Sequence, residues 1–150
     1  MENHFDKRTD PRLLVEGCKT IICFAYNYYP DTDLGLNNKK VAKYAYDRDY
    51  HKVLKKKLIN LLKEMDQAFG GVQGRAFVDS APVMEREWAL RAGLGWIGKN
   101  TLVIHPQKGS FFFLGELLVD VELSADEPMK DHCGTCTRCI DACPTEACLL

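Results

Sequence analysis

The chain has 150 residues, of which 46% are hydrophobic, 27% charged and 10% aromatic. That length holds one domain, with or without a short appended module, and leaves no room for two ordinary globular units. The composition supports a buried core, which excludes a disordered, collagen-like or low-complexity chain. Basic residues number 20 against 21 acidic ones, so the net charge of −1 gives no global reason to expect a nucleic-acid or membrane partner.

No apolar run reaches membrane-spanning length; Ile21–Pro30 and Phe111–Leu114 are strand-sized. The N-terminal stretch Met1-Glu2-Asn3-His4-Phe5-Asp6 carries acids and lacks the apolar centre of a secretory signal, so a cytoplasmic, reducing location is the expectation. Residues 19–29, rich in β-branched and aromatic side chains and stopped by Pro30-Asp31, predict a buried strand, and Asp31–Lys40 a polar loop. From Asp49 to Met65 the apolar residues Tyr50, Val53, Leu54, Leu58, Leu61, Leu62 and Met65 recur at spacings of three and four, the signature of a helix with one apolar face. Gly70-Gly71 ends it, and Arg75–Asp79 reads as a short strand stopping at Ser80-Ala81-Pro82.

Pro82 suits a first helical turn, which predicts a short helix over Met84–Arg91 with Gly93 as its stop. The run Gly93-Leu94-Gly95-Trp96-Ile97-Gly98-Lys99-Asn100 lacks the strand-to-helix order of a phosphate loop, and a turn accounts for it equally well. Thr101–His105 and Phe111–Glu122 then read as two strands joined across Pro106–Gly109, a hairpin. The expected fold is thus an α/β or α+β sheet domain with flanking helices over residues 1–123, followed over 124–150 by the start of a ferredoxin-like module.

That module rests on Cys133-Gly-Thr-Cys136-Thr-Arg-Cys139-Ile-Asp-Ala-Cys143-Pro144. The spacing C-x2-C-x2-C-x3-C-P is the run with which bacterial ferredoxins hold a [4Fe–4S] cluster. A zinc site would pair two C-x-x-C units across a longer gap. In two-cluster ferredoxins the fourth cysteine ligates the other cluster, so either Cys143 or Cys148 closes one cluster locally or the remaining ligands lie beyond Leu150; the second is the expectation. Cys18, Cys23 and Cys148 read as small core residues. Asp79 stands where a strand ends, a position at which open α/β sheets place their sites, but it or Ser80 serves equally as a helix cap.

Charge is uneven along the chain. Residues 39–63 carry nine Lys or Arg against Asp47 and Asp49, while 120–150 hold seven acids and two bases. Lys52, Lys55, Lys56 and Lys57 lie largely off the apolar stripe of the helix, as a solvated face or a phosphate-binding one. Tyr46 and Tyr50 are candidates for stacking on an extruded base, though Tyr50 also fits the core stripe.

Six blocks together resemble the epoxyqueuosine reductase family, the cobalamin-dependent iron–sulfur enzymes of queuosine biosynthesis in tRNA: Arg8–Leu14, Tyr44–His51, Val78–Val83, Gly93–Thr101, Gly109–Glu116 and Cys133–Pro144. Asp47 departs from the usual glycine of its block. The resemblance implies a piece of a longer protein, truncated at both ends and inactive alone, whose whole carries two [4Fe–4S] clusters. It implies removal of the epoxide oxygen of epoxyqueuosine at the wobble position, with Asp79 as proton donor, its carboxyl raised toward the working pH by enclosure against an apolar corrin face. It implies corrin contacts at Ala42, Asp79, Gly98, Asn100, Val103, Ser110 and Leu114, with close backbone approach at glycines 95, 98, 109 and 115, and cluster ligands at Cys133, Cys136, Cys139 and Cys143. The expected partners are tRNA carrying epoxyqueuosine and an external electron donor such as flavodoxin or ferredoxin, acting on a monomer with no membrane association. A corrinoid reductive dehalogenase-like enzyme and a plain iron–sulfur electron-transfer protein are the alternative readings.

Overall fold

A computed structural model describes residues 4–30, 41–46, 48–79 and 81–148. The expected loop Asp31–Lys40, and Asp47 and Ser80, lie outside the described residues.

The elements follow from local chemistry. The run at 19–29 forms strand β1, Thr20–Asn27. The three-and-four spacing becomes helix α2, Tyr50–Phe69, whose N-cap Asp49 accepts the His51 N–H and whose C-cap is Gly70 at φ 71, a left-handed conformation that glycine adopts without a Cβ clash. Strand β2, Gly74–Phe77, and helix α3, Glu85–Arg91, follow. Strands β3, Trp96–Ile97, and β4, Val103–Ile104, pair with each other as a two-stranded ribbon. Strand β5, Phe112–Val119, completes the main sheet. A one-turn helix before the sheet, α1, Phe5–Thr9, another in the cysteine segment, α4, Arg138–Asp141, and 3₁₀ turns at Pro11–Leu13 and Lys43–Ala45 complete the described elements.

The main sheet is antiparallel in the order β1-β5-β2. β5 is central, running from Thr20 opposite Val119 to Asn27 opposite Phe112 on one side and from Gly74 opposite Val119 to Phe77 opposite Glu116 on the other. Alternation along β5 then sorts its side chains between two cores. Leu117 and Val119 pack with Leu54 and Leu58 of α2 and with Val72 and Val78, whereas Leu118 packs with Val15, Cys18, Phe77 and Val83, with Trp88 of α3 beside them. A Cβ on Gly115 would lie 3.0 Å from Leu58 Cδ1 and 3.1 Å from Leu54 Cδ2, so the missing side chain is what lets α2 settle onto the centre of the sheet. Burial of Leu54 and Leu58, each 3% exposed, contributes about 1.5–3 kcal/mol apiece.

The fold is α+β, and three expectations are corrected. The expected hairpin does not form: β4 pairs with β3, while β5 crosses to the main sheet between strands 1 and 2. The turn across Pro106–Lys108 does exist, closed by a His105–Gly109 bridge, but an alternating pattern specifies a strand and not its partner. The run Gly93–Asn100 is more than a turn, since Trp96-Ile97 is a strand within it. Helix α3 begins at Glu85 behind an N-cap at Met84, so Pro82 lies before its first turn.

Candidate active site

Asp79 lies two residues beyond β2, and its surroundings decide between a cap and a site. It does not cap α3: the N-cap position belongs to Met84, without a side-chain bond. The bond runs the other way, with the Asp79 N–H donating to Oε1 of Glu85, the first residue of α3, at 2.6 Å. Asp79 holds φ 50, a left-handed conformation uncommon outside glycine that Asp tolerates better than most. Its Oδ2 accepts the Tyr50 hydroxyl at 2.7 Å and lies 3.3 Å from His51 Nε2. The first turn of α2 therefore presents two polar groups to one oxygen of Asp79.

Tyr50 follows the core-stripe reading, its ring also stacked with that of His51 at 4.0 Å. Its ring stacks on Phe113 of β5 at 3.8 Å, and burial, followed by the hydrogen bond to Asp79, raises its phenol above the usual range and keeps it a donor. Aromatic contacts continue from Phe113 to Tyr28 at 4.5 Å and from Phe111 to Tyr29 at 4.9 Å, with Lys43 Nζ 3.7 Å above the Tyr29 ring. Lys57 Nζ stands 5.3 Å above Tyr26, and Lys52, Lys55 and Lys56 are exposed on α2.

Asp79 joins two cavities. The smaller, about 190 Å³, is lined by Tyr50, Asp79, Val103, Ser110 and Leu114 among others; the larger, about 820 Å³, runs past Asp79 to Arg8, Met84 and Ile97. Both share Glu85 and Arg86. The larger volume falls in the range of about 300–1,000 Å³ usual for ligand and cofactor sites. Arg8 brings to it a buried Nε with no hydrogen-bond partner among the described residues, and Phe5 and Met84 expose apolar surface along it. An orphaned donor beside exposed apolar walls fits a bulky ring with carbonyl-bearing arms.

Of the expected corrin contacts, the structure gathers Asp79, Val103, Ser110 and Leu114 around one cavity. Gly98 and Asn100 belong to the adjoining turn, where the Gly98 N–H donates to the Leu102 carbonyl and Asn100 Oδ1 accepts from the Leu102 N–H. Ala42 lines neither cavity and precedes a 3₁₀ turn at Lys43–Ala45. The glycines have internal explanations. A Cβ on Gly95 would meet the Ile104 carbonyl, one on Gly98 would lie 2.6 Å from Ile104 Cδ1, Gly115 seats α2, and Gly109 holds φ 66. The expected enclosure of Asp79 is also not supplied by the described residues, since its side chain is 56% exposed.

The cysteine segment is open. Cys136 is exposed, Cys133, Cys139 and Cys143 are half-buried, and among the described residues no three side chains of metal-ligating type converge. The Cys143 thiol is drawn down to about 6 by hydrogen bonds, that of Thr145 first, and Cys148 lies within hydrogen-bonding reach of it and close enough to Cys139 to feel its charge. Cys148 is thus a neighbour of the run and not a core residue, whereas Cys18 is buried as expected. A set of closely spaced thiols, one inclined to ionise, matches the donor chemistry of an iron–sulfur cluster.

Sequence reasoning missed two further carboxyls. Glu116 is 0% exposed on β5, and among the described residues neither of its oxygens has a hydrogen-bond partner. Burial first, then the charges of Glu85 and Asp79, push it up to about 8. Glu85 is raised as well, chiefly by burial. The available signal was an acid inside the apolar run Phe111–Val119.

Comparison with known proteins places these features in a family. Residues 8–80 match the family model described as epoxyqueuosine reductase QueG, DUF1730. The epoxyqueuosine reductase of Cyclobacterium marinum is 59% identical over 99% of this chain and 49% of its own length; that of Leadbetterella byssophila is 55% identical over 98% and 49%. The structure of epoxyqueuosine reductase from Streptococcus thermophilus superposes with a TM-score of 0.87 at 34% identity, over 97% of this chain and 41% of that one. An epoxyqueuosine reductase crystallised with an epoxyqueuosine-modified tRNA-Tyr stem loop matches with a TM-score of 0.82 at 32% identity, over 98% of this chain and 40% of that one. The chain spans about half the length of the curated relatives it matches. Shared sequence along nearly all of its residues, carried on a shared backbone, means that this chain belongs to the epoxyqueuosine reductase family.

Proposed function

We propose that the protein carrying this chain reduces epoxyqueuosine to queuosine in tRNA, with residues 1–123 forming the corrin-binding catalytic domain and 124–150 the beginning of a ferredoxin-type module. The observation that carries the reading is Asp79: released from capping, bonded through one oxygen, and set where two cavities meet. A relative from Bacillus subtilis is described with its catalytic Asp loop swung out of the active site, in keeping with an aspartate of this kind on a loop.

A reduced cobalt corrin, when bound, supplies the electrons that break the carbon–oxygen bonds. Arg8, Val103, Ser110 and Leu114 would hold it, and Cys133, Cys136, Cys139 and Cys143 would hold a cluster that feeds it, from a donor such as flavodoxin or ferredoxin. The chain's own residues manage the proton. Oδ2 of Asp79 accepts from Tyr50, so the acidic proton belongs on Oδ1, free to reach the departing oxygen. Once the proton has gone, the same Tyr50 hydroxyl stabilises the carboxylate left behind. The tRNA-bound relative supports a tRNA substrate, and the exposed Tyr29 ring with Lys43 above it offers stacking and charge for it.

The test is anaerobic reconstitution of the full-length protein with iron, sulfide and cobalamin, followed by mass spectrometry of tRNA nucleosides. Queuosine should appear with the wild-type protein, and Asp79→Asn should bind cobalamin normally yet lose turnover by about 100-fold or more. Near-normal turnover in that variant would return Asp79 to a structural role.

A further inference from the structure

His51 is the second residue of α2, where the free N–H groups of a helix disfavour a cation, yet its ring stands between two carboxyl groups. Nδ1 lies 3.1 Å from Oδ1 of Asp49 on one side, and Nε2 lies 3.3 Å from Oδ2 of Asp79 on the other. The same Oδ1 of Asp49 accepts the His51 backbone N–H at 3.1 Å, so the cap that starts the helix also aims the ring, and the Tyr50 ring stacks against it at 4.0 Å. The Asp49 carboxyl is held below its usual range, by the His51 side chain first and then, more weakly, by Lys52, whose Nζ is 3.6 Å from Asp49 Oδ2. An ionised carboxylate only accepts, so Nδ1 carries a hydrogen, and Nε2 faces Asp79 as an acceptor when the ring is neutral and as a donor when it is charged. A proton placed between Nε2 and Oδ2 can therefore rest on either residue. The charged groups around the ring are Asp49, Asp79 and Lys52, with Glu85 of α3 close enough to feel its charge. The His51 side chain is 46% exposed, so solvent reaches it.

We propose that His51 reloads Asp79 between the two protonations the reaction needs, as a positioning residue that takes its own proton from solvent. The inference rests on the reading of Asp79 as proton donor. Removing an epoxide oxygen as water breaks two carbon–oxygen bonds, forms two oxygen–hydrogen bonds and consumes two electrons and two protons. The electrons come from the external reductant named above. Asp79 delivers the first proton from Oδ1 and becomes a carboxylate. The imidazolium of His51 then passes the proton on Nε2 across the 3.3 Å contact to Oδ2, which leaves a neutral ring with its hydrogen on Nδ1 against Asp49. The terminal torsion of a carboxyl is broad and two-fold, so a half-turn about the Cβ–Cγ bond exchanges the two oxygens and presents the new proton where the first one stood. The Asp79 side chain, 56% exposed, has room for that turn. Asp79 delivers the second proton, water leaves, and both residues recover protons from solvent, Asp79 through His51.

The experiment uses the full-length reconstituted enzyme and the variants His51→Gln, His51→Ala and Asp79→Asn. Gln keeps a hydrogen-bond donor beside Asp79 but has no proton to give, so its turnover should fall by about 100-fold, with KM for the modified tRNA and cobalamin binding unchanged. Imidazole added to His51→Ala should raise turnover by about tenfold or more, and the recovery should follow the imidazolium fraction as pH is varied. Nitrogen-15 NMR of labelled histidine, without substrate, reads the tautomer directly: neutral His51, assigned by its contacts with the Tyr50 ring, should carry its hydrogen on Nδ1. Wild-type turnover in His51→Gln, with Asp79→Asn inactive, overturns the reloading and leaves the Asp79 reading standing. A loss in His51→Ala that imidazole does not restore overturns it as well. Full turnover in Asp79→Asn removes both readings. If the His51 variants do not fold, the tautomer decides: a neutral ring with its hydrogen on Nε2 overturns the reloading, and one with it on Nδ1 supports it.

Discussion

Replacing Glu116 by Gln should make the protein more stable at neutral and alkaline pH, and the size of the gain follows from its burial. An unfolded glutamate releases its proton near 4.5, whereas burial holds the proton on folded Glu116 up to about 8. Between those values the folded state binds more protons than the unfolded one, so stability falls as pH rises, by up to about 1.4 kcal/mol per pH unit. The penalty is absent below 4.5, grows across the window and levels off above about 8, reaching at most about 5 kcal/mol and less where side chains relax. Gln keeps the shape and does not titrate. Urea unfolding of full-length wild type and Glu116→Gln at pH values from 4.5 to 8.5 therefore gives curves that coincide at the acid end and separate steadily toward the alkaline end. A difference that stays constant with pH would refute the claim that Glu116 is buried as a neutral acid.

Tyr50→Phe retains the ring stack on Phe113 and removes the hydroxyl from Asp79, so thermal melting should move little while epoxyqueuosine turnover falls; equal activity would show that Asp79 needs no such donor. Gly115→Val places methyl groups against Leu54 and Leu58 and should cost about 1–3 kcal/mol in denaturant unfolding, the price of lifting α2 from the sheet. Cys136→Ser, an exposed change, should cost the full-length protein one of its two clusters and so lower the iron–sulfur charge-transfer band after reconstitution by about half, while leaving the circular dichroism of the sheet domain intact.

Some of this molecule was legible in one dimension. Helix α2 follows from its three-and-four spacing, β1 from its β-branched and aromatic run, and the thiol cluster from the intervals between Cys133 and Cys143, because each signal is confined to neighbours along the chain. The α2 stripe even contained Tyr50, but its spacing says only that the ring is inward and nothing about where the hydroxyl ends. That hydroxyl meets an aspartate 29 residues away. The residues that ordered the site were assigned by pairing: β5 lies between β1 and β2, far away in the chain, and an alternating pattern is blind to which strand it will join. The hairpin that was expected and does not form and the missed Glu116 have the same origin. Read locally, an acid in Phe111–Val119 looks like the solvent face of an edge strand. Once β5 becomes central and both faces are covered, that carboxyl has no water to turn to, and its protonation becomes a property of the three-dimensional packing around it.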